Sequence, residues 1–337
     1  MATVGPPNVI KDGYSNLGVV KFSDTTQANT ANSFGVRNRI INGDMRIAQR
    51  GTSFVNVGSD LGSGASNTLQ NHYTLDRWFG YRTATVSGFP IGLNVSQQPG
   101  FDGSTYCIRH QRVAGSDLYF RPLILAQIIE STNMVDLQGK NVTVSFSARA
   151  GANFSSNGIS IVLQTGTTAD QGAAAFTTGW TGLATSINTL SPVAASVNKY
   201  RYTAFIPKTA QEMIFYISWT PTGTAGAADY VEITNVQIEE STSTGYGSIS
   251  TPFERRPYGM ELSLCQRYYT SLTTFMSGSA TAYPSQLHWP VIMRASPTVT
   301  AGVGLTGQSG NLPSPTGYVC RQTTLAANQV VTASAEL

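Results

Sequence analysis

Apolar and polar residues alternate along the middle of this chain. In NVTVSFSARA, residues 141–150, Val142, Val144, Phe146 and Ala148 alternate with Thr143, Ser145, Ser147 and Arg149, the period of two that marks a half-buried strand. GISIVLQT, residues 158–165, repeats the pattern with Ile159, Ile161 and Leu163. YRYTAFIP (200–207) and EMIFYISW (212–219) are richer in aromatic and branched residues, which predicts fully buried strands. YVEITNVQIEE (230–240) breaks phase: Val231 and Ile233 share one face, Val236 and Ile238 the other. A bulge near Thr234 and Asn235 would return all four to one core. Strands of this length, joined by Gly/Ser/Thr loops with no helical pattern between them, predict an all-β antiparallel sandwich of two packed sheets.

The period changes at STPFERRPYGMELSLCQRYY, residues 250–269. Pro257 suits the first turn of a helix, where its missing N–H costs nothing. Tyr258, Leu262, Cys265 and Tyr269 then fall at helical spacing, with Met260, Leu264 and Tyr268 in an adjoining row, so a short helix packed from two sides is expected. Charge is also concentrated here. Glu254, Arg255, Arg256, Glu261 and Arg267 mix both signs, which favours internal pairs and helix-end hydrogen bonds over a basic patch. Glu254, Arg255, Arg256, Pro257, Tyr258 and Arg267 are the expected joint between domains.

The expected organisation is an arm at 1–37, a sandwich at 38–253, a connecting helix at 254–272 and a small β domain at 273–337. The arm holds one short apolar run, LGVVKF, between polar stretches, too little to bury a core of its own. It is expected to become ordered against neighbouring chains, or else to be a loose terminus. The last 65 or so residues form a β unit that is marginal alone and is expected to pack on the sandwich or on copies of itself.

Composition narrows the function. Charged residues make up only 12% of the 337, and a net charge of +3 spread thinly over the chain lacks the electrostatic footprint of a nucleic-acid binder. Sixteen of the 21 basic residues are Arg, the side chain suited to forked, partly buried hydrogen bonds. Cys107, Cys265 and Cys320 have no Cys-x-x-Cys spacing and read as reduced core or interface residues. No stretch reaches the ~18 apolar residues of a membrane helix. The segment MATVGPPNVIKDGYSN has no apolar run of the kind a signal peptide carries, so synthesis in a cytoplasm without export by that route is expected.

Catalysis has little support. His72, His110 and His288 are the only histidines, and neither a His-Glu-x-x-His pattern nor a Gly-x-Ser-x-Gly elbow accompanies them. With ten Asp and eight Glu, no local cluster picks out a carboxylate pair for glycan hydrolysis. Glu239 and Glu240 are adjacent, so they point to opposite faces of a strand. No catalytic residue is expected.

The segments NRIINGDMRIAQRGTSF, YTLDRW, VEITNVQIEE and TPFERRPYGMELSLCQRYY, in that order over residues 38 to about 270, resemble a group of bacteriophage virion proteins. These are tail-fibre and related fibre subunits built around a jelly roll like that of carbohydrate-binding modules. The resemblance implies a jelly-roll sandwich in a homotrimeric structural protein of the virion, made in the host bacterial cytoplasm. It also implies an arm that joins other tail or virion proteins and distal domains that meet a bacterial surface glycan.

Jelly-roll modules of this kind often carry one structural calcium, for which Asp44, with Asn42 beside it, and Asp76 are the candidate oxygen donors at loop positions. The bland reading has Asp44 capping a turn after Gly43 and Asp76 paired with an arginine. For sugar stacking, Trp180 in the Gly/Thr-rich FTTGWTG is the candidate platform; the bland reading makes it a loop anchor. A purely architectural connector, or a head-decorating fibre, would need the same fold without a sugar site. A depolymerising enzyme would need a carboxylate pair in a cleft.

Overall fold

The computed structural model describes residues 20–21, 27–28, 36–55, 72–82, 93–115, 122–173, 175, 179–241, 250–274, 285–300, 305–307, 313–322 and 329–337. Most of the expected arm therefore lies outside the described residues. The chain divides into two compact units, residues 1–37 and 38–337. In the first, β1 (Val20–Lys21) pairs antiparallel with β2 (Gln27–Ala28), Val20 opposite Ala28.

The second unit is mostly β. Its strands begin with β3 (Ser53–Phe54), β4 (His72–Tyr73), β5 (Phe79–Arg82), β6 (Leu93–Pro99), β7 (Tyr106–Arg112) and β8 (Leu123–Ile129). They continue with β9 (Asn141–Ala150), β10 (Ile159–Gly166), β11 (Ala184–Ser191), β12 (Asn198–Phe205), β13 (Glu212–Trp219) and β14 (Tyr230–Glu240). Two six-stranded antiparallel sheets result, ordered β11-β10-β13-β8-β5-β4 and β12-β9-β14-β7-β6-β3. From β7 onward the chain mostly crosses between the sheets from one strand to the next, as in a jelly roll.

The alternation read in the sequence is what fills the space between the sheets. Val142, Val144, Phe146 and Ala148 of β9 meet Ile159, Ile161 and Leu163 of β10 and Phe215, Ile217 and Trp219 of β13 in one cluster. At about 1.5–3 kcal/mol per large apolar side chain removed from water, this layer dominates the stability of the unit. The predicted bulge is present. The register of β14 against β9 slips between Thr234 and Gln237, Asn235 takes a φ of 54°, and Val231, Ile233, Val236 and Ile238 are all fully buried in the same core. Gly43 explains why the bulge is tolerated there: a Cβ at that position would lie 2.2 Å from the Val236 carbonyl oxygen.

Two strands depart from expectation. YRYTAFIP was expected to be fully buried, but β12 is an edge strand with Arg201 and Phe205 exposed. Tyr200, Tyr202 and Ala204 turn to the core, whereas Phe205 on the other face is left exposed. β9 reads as half-buried, yet Thr143 and Ser147 on its polar face are 1% and 3% exposed. That face is roofed by segments remote in sequence.

The helix spans Tyr258–Gln266, with Pro257 at its N-cap position. Cys265 and the following Tyr268 are buried with Ile41 and Ile47, and Leu262 and Leu264 pack against them. Tyr258 and Met260 are exposed, so the helix is covered along one side only. Beyond it, β15 (Tyr269–Thr274), β20 (Gln329–Ser334) and β17 (Thr298–Thr300) form one small sheet. A second contains β16 (Ser285–His288), β19 (Gly317–Gln322) and β18 (Leu305–Gly307). Trp289, Met293, Tyr318, Val331, Ala333 and Ala335 are their shared core. Backbone hydrogen bonds from Ala335 N–H to the Tyr268 carbonyl (2.7 Å) and from Arg294 N–H to the Arg267 carbonyl (2.8 Å) tie this part to the end of the helix.

Candidate functional site

Outward-facing residues of β12, β9 and β14 form rows across the sheet. Lys199 lies opposite Ser147, which faces Thr234, and Arg201 lies opposite Ser145, which faces Gln237. Two segments rise above this floor. One is the β6–β7 turn, where Asp102 and Gly103 both take positive φ, 51° and 75°. The other is the extended strap 250–256 that leads into the helix. The strap is held down by Thr251: its N–H and hydroxyl donate to the two Glu239 carboxylate oxygens (2.8 and 2.6 Å), and Gln237 Nε2 donates to its hydroxyl (3.0 Å). Arg255 Nη2 donates to the Gly103 carbonyl (2.5 Å) and joins strap to turn.

Between them is a cleft of about 570 Å³ whose lining includes Asp102, Ser147, Lys199, Arg201, Asn235 and Arg255. Asp102 organises one end. It pairs with Lys199 (2.9 Å), accepts from the Ser147 hydroxyl (2.6 Å), and its backbone carbonyl accepts from Asn235 Nδ2 (3.0 Å). Burial acts to raise its carboxyl, but the hydrogen bonds from Ser147 and Lys199 and the Lys199 charge outweigh it, so the carboxyl is held below the usual range. Asn235, placed by the bulge, is 7% exposed and its Oδ1 has no hydrogen-bond partner. The sequence exposed the bulge but not the cleft, because the turn, the strap and the floor strands come from segments tens of residues apart along the chain.

Further along the same face, Glu232 is fully buried between two arginines, accepting from Arg109 (2.6 Å) and from Arg149 (2.6 Å). The Arg109 guanidinium stacks over Tyr230 at 4.0 Å and that of Arg149 over Phe101 at 4.6 Å. Burial and the Glu232 charge push the neighbouring Cys107 thiol up to about 12, and both Cys107 and Cys265 are free, buried thiols.

Of the expected joint residues, Glu254, Arg256 and Arg267 make contacts around the helix. Arg256 is 5% exposed; its Nη1 meets both Glu261 carboxylate oxygens at 3.2 Å and its guanidinium also donates to the Ile40 and Asn38 carbonyls. Glu261 accepts in turn from the Asn42 N–H. Glu254 accepts from the Asn38 N–H at 2.6 Å, and Arg267 pairs with Glu130 at 2.9 Å. These contacts fix strap and helix to NRIINGDM and to Glu130 at the end of β8. Arg255 departs from the group and belongs to the cleft wall. Tyr258 is 58% exposed and anchors nothing on this face.

Trp180 is corrected by its burial. It is 4% exposed and packs with Phe79, Ile124, Ala126, Ile128, Ile214 and Leu337 on the outer face of the β8-containing sheet, where its Nε1 donates to the Gly172 carbonyl (3.4 Å). A ring enclosed in this way has no face for a sugar. Asp44 pairs with Arg46 at 3.2 Å. Both Asp76 carboxylate oxygens accept from Gln49, at 2.7 and 2.5 Å, and burial raises the Asp76 carboxyl. Among the described residues no three His, Cys, Asp or Glu side chains gather into a metal-binding group.

The fold and cleft define a jelly-roll β-sandwich protein with a polar cleft on one sheet. No family model matches the chain and no curated protein sequence matches it. Solved structures do. The enzymatically active domain of bacteriophage CBA120 tailspike protein 4 is 14% identical over 49% of this chain and 19% of its own length, with a TM-score of 0.33. A CBM4 structure is 16% identical over 59% of this chain and 97% of its own, with a TM-score of 0.33. The CBM22-1 xylan-binding domain of Xyn10C from Paenibacillus barcinonensis is 12% identical over 56% and 92%, with a TM-score of 0.29. The chain thus spans about a fifth of the tailspike domain.

Proposed function

We propose that this chain is a non-catalytic, sugar-binding fibre subunit of a bacteriophage virion, in which the sheet-face cleft receives the glycan. The cleft carries the reading. It offers a fixed carboxylate in Asp102, the Asn235 amide at the bulge, and donors from Lys199, Arg201 and Arg255, the groups that read sugar hydroxyls. The virion role, the homotrimer and attachment through residues 1–37 rest on the resemblance of the separated motifs across residues 38 to about 270. A host-surface polysaccharide is the partner in this reading, and no bond is broken in it.

The test uses the full chain. Purified protein should bind host cells or their extracted polysaccharide, run as a trimer in light scattering, and leave the polysaccharide's length unchanged on incubation. Ser145→Trp, which fills the cleft from an outward-facing floor position, should abolish binding while preserving the melting temperature. If that variant binds as well as the parent, the cleft is not the site; shortening of the polysaccharide would mean an enzyme.

A further inference from the structure

Resting on the glycan-binding reading, we infer that the cleft takes an acidic sugar, one bearing a carboxylate or a phosphate, and that Arg201 and Arg255 hold the anionic group. Three cationic side chains, Lys199, Arg201 and Arg255, line the cleft with one carboxylate, Asp102. Lys199 is satisfied by Asp102 at 2.9 Å. Arg201 is exposed and makes no ion pair or hydrogen bond among the described residues. Arg255, also exposed, gives one donor to the Gly103 carbonyl and has no carboxylate partner among the described residues. A guanidinium presents five N–H donors in a fork that matches carboxylate and phosphate oxygens, so both retain most of their donors for a ligand.

The aromatic content of the cleft points the same way. Phe146 and Tyr200 line it, but their rings stack on each other at 4.8 Å within the core, leaving Phe253 of the strap as the stacking surface among the lining residues. A cleft poor in exposed aromatic faces and rich in unpaired guanidinium discriminates by charge more than by sugar-ring stacking. Lys199 and Arg201 are two residues apart on one strand, a spacing of about 7 Å, which fits one monosaccharide between the Asp102–Lys199 pair and the free arginine. The Asn235 amide lines the same cleft, and the acidic group of the sugar meets Arg201.

Matched pairs of probes test this in calorimetry at low and high salt: sialyllactose against lactose for the carboxylate, and phosphomannose against mannose for the phosphate. The acidic member of at least one pair should bind about tenfold tighter at low salt and lose that advantage at high salt. Arg201→Gln should weaken the acidic probe by roughly tenfold with an unchanged melting temperature, and Arg255→Gln should act in the same direction. Equal affinity for both members of each pair overturns the acidic-sugar inference and leaves glycan binding standing. Absence of binding to every probe and to host polysaccharide overturns both.

Discussion

Arg256 and Glu261 form a two-oxygen ion pair, 3.2 Å to each carboxylate oxygen, with side chains only 3% and 4% exposed. Arg255, its neighbour in sequence, is exposed and reaches a single carbonyl. Two adjacent arginines thus have opposite roles.

Arg256→Ala should destabilise the chain by about 3 kcal/mol, because it leaves the buried Glu261 carboxylate with only the longer Arg46 contact at 4.0 Å and the Asn42 N–H, and the Ile40 and Asn38 carbonyls short of a donor. Arg255→Ala should cost about 0.5 kcal/mol or less, as most exposed substitutions do. Urea denaturation of the two variants separates them; equal losses would contradict the division of labour.

Trp180→Ala should cost about 3–5 kcal/mol, the usual range for emptying a buried tryptophan site. Glycan affinity, measured at a temperature where the variant is still folded, should not change. A variant that melts like the parent but fails to bind would restore Trp180 as a stacking platform.

Asn235 separates fold from ligand. Asn235→Ala keeps a side chain at φ 54°, where a residue other than Gly pays about 1–2 kcal/mol, and loses the hydrogen bond to the Asp102 carbonyl. Asn235→Gly relieves the backbone and should melt closer to the parent, yet its sugar affinity should fall as far as that of the alanine variant. Affinity that recovers with glycine would show that only the bulge matters.

Two buried groups act on the pH dependence in opposite directions. Burial pushes the Glu212 carboxyl from 4.5 up to about 8, so the folded chain keeps a proton that the unfolded chain has lost in that window, and stability falls as pH rises through it. Burial pushes His110, which accepts from Trp219 Nε1 at 3.0 Å, from 6.5 down to about 3. The unfolded chain then binds the extra proton, and stability falls as pH drops through that window. The two slopes offset one another between about 4.5 and 6.5. Thermal melts across pH should lose their decline above that overlap in Glu212→Gln and their decline below it in His110→Gln.

Much of the fold was legible because it follows from local periodicity. Side chains alternate across a strand whatever surrounds it, so β9, β10 and the bulge of β14 could be read from Val142 to Ala148, Ile159 to Leu163 and Val231 to Ile238. Pro257 likewise marked the start of the helix. The site was less legible. Trp180 stands among glycines and threonines, the composition of an exposed loop, and nothing local announces that Leu337 and β8 enclose it.

The sequence by itself determined which residues alternate, where the period shifts and where charge gathers, since these depend only on neighbours along the chain. Tertiary structure decided which faces stayed open. β12 is an edge, so Arg201 is free; the strap and the Asp102–Gly103 turn close over a polar face, so Ser147 is buried and a cleft exists. Arg256 finds Glu261 five residues on but also carbonyls more than 200 residues back. Burial and pairing of this kind are set by contacts between distant segments, and only the folded chain brings those segments within hydrogen-bond reach.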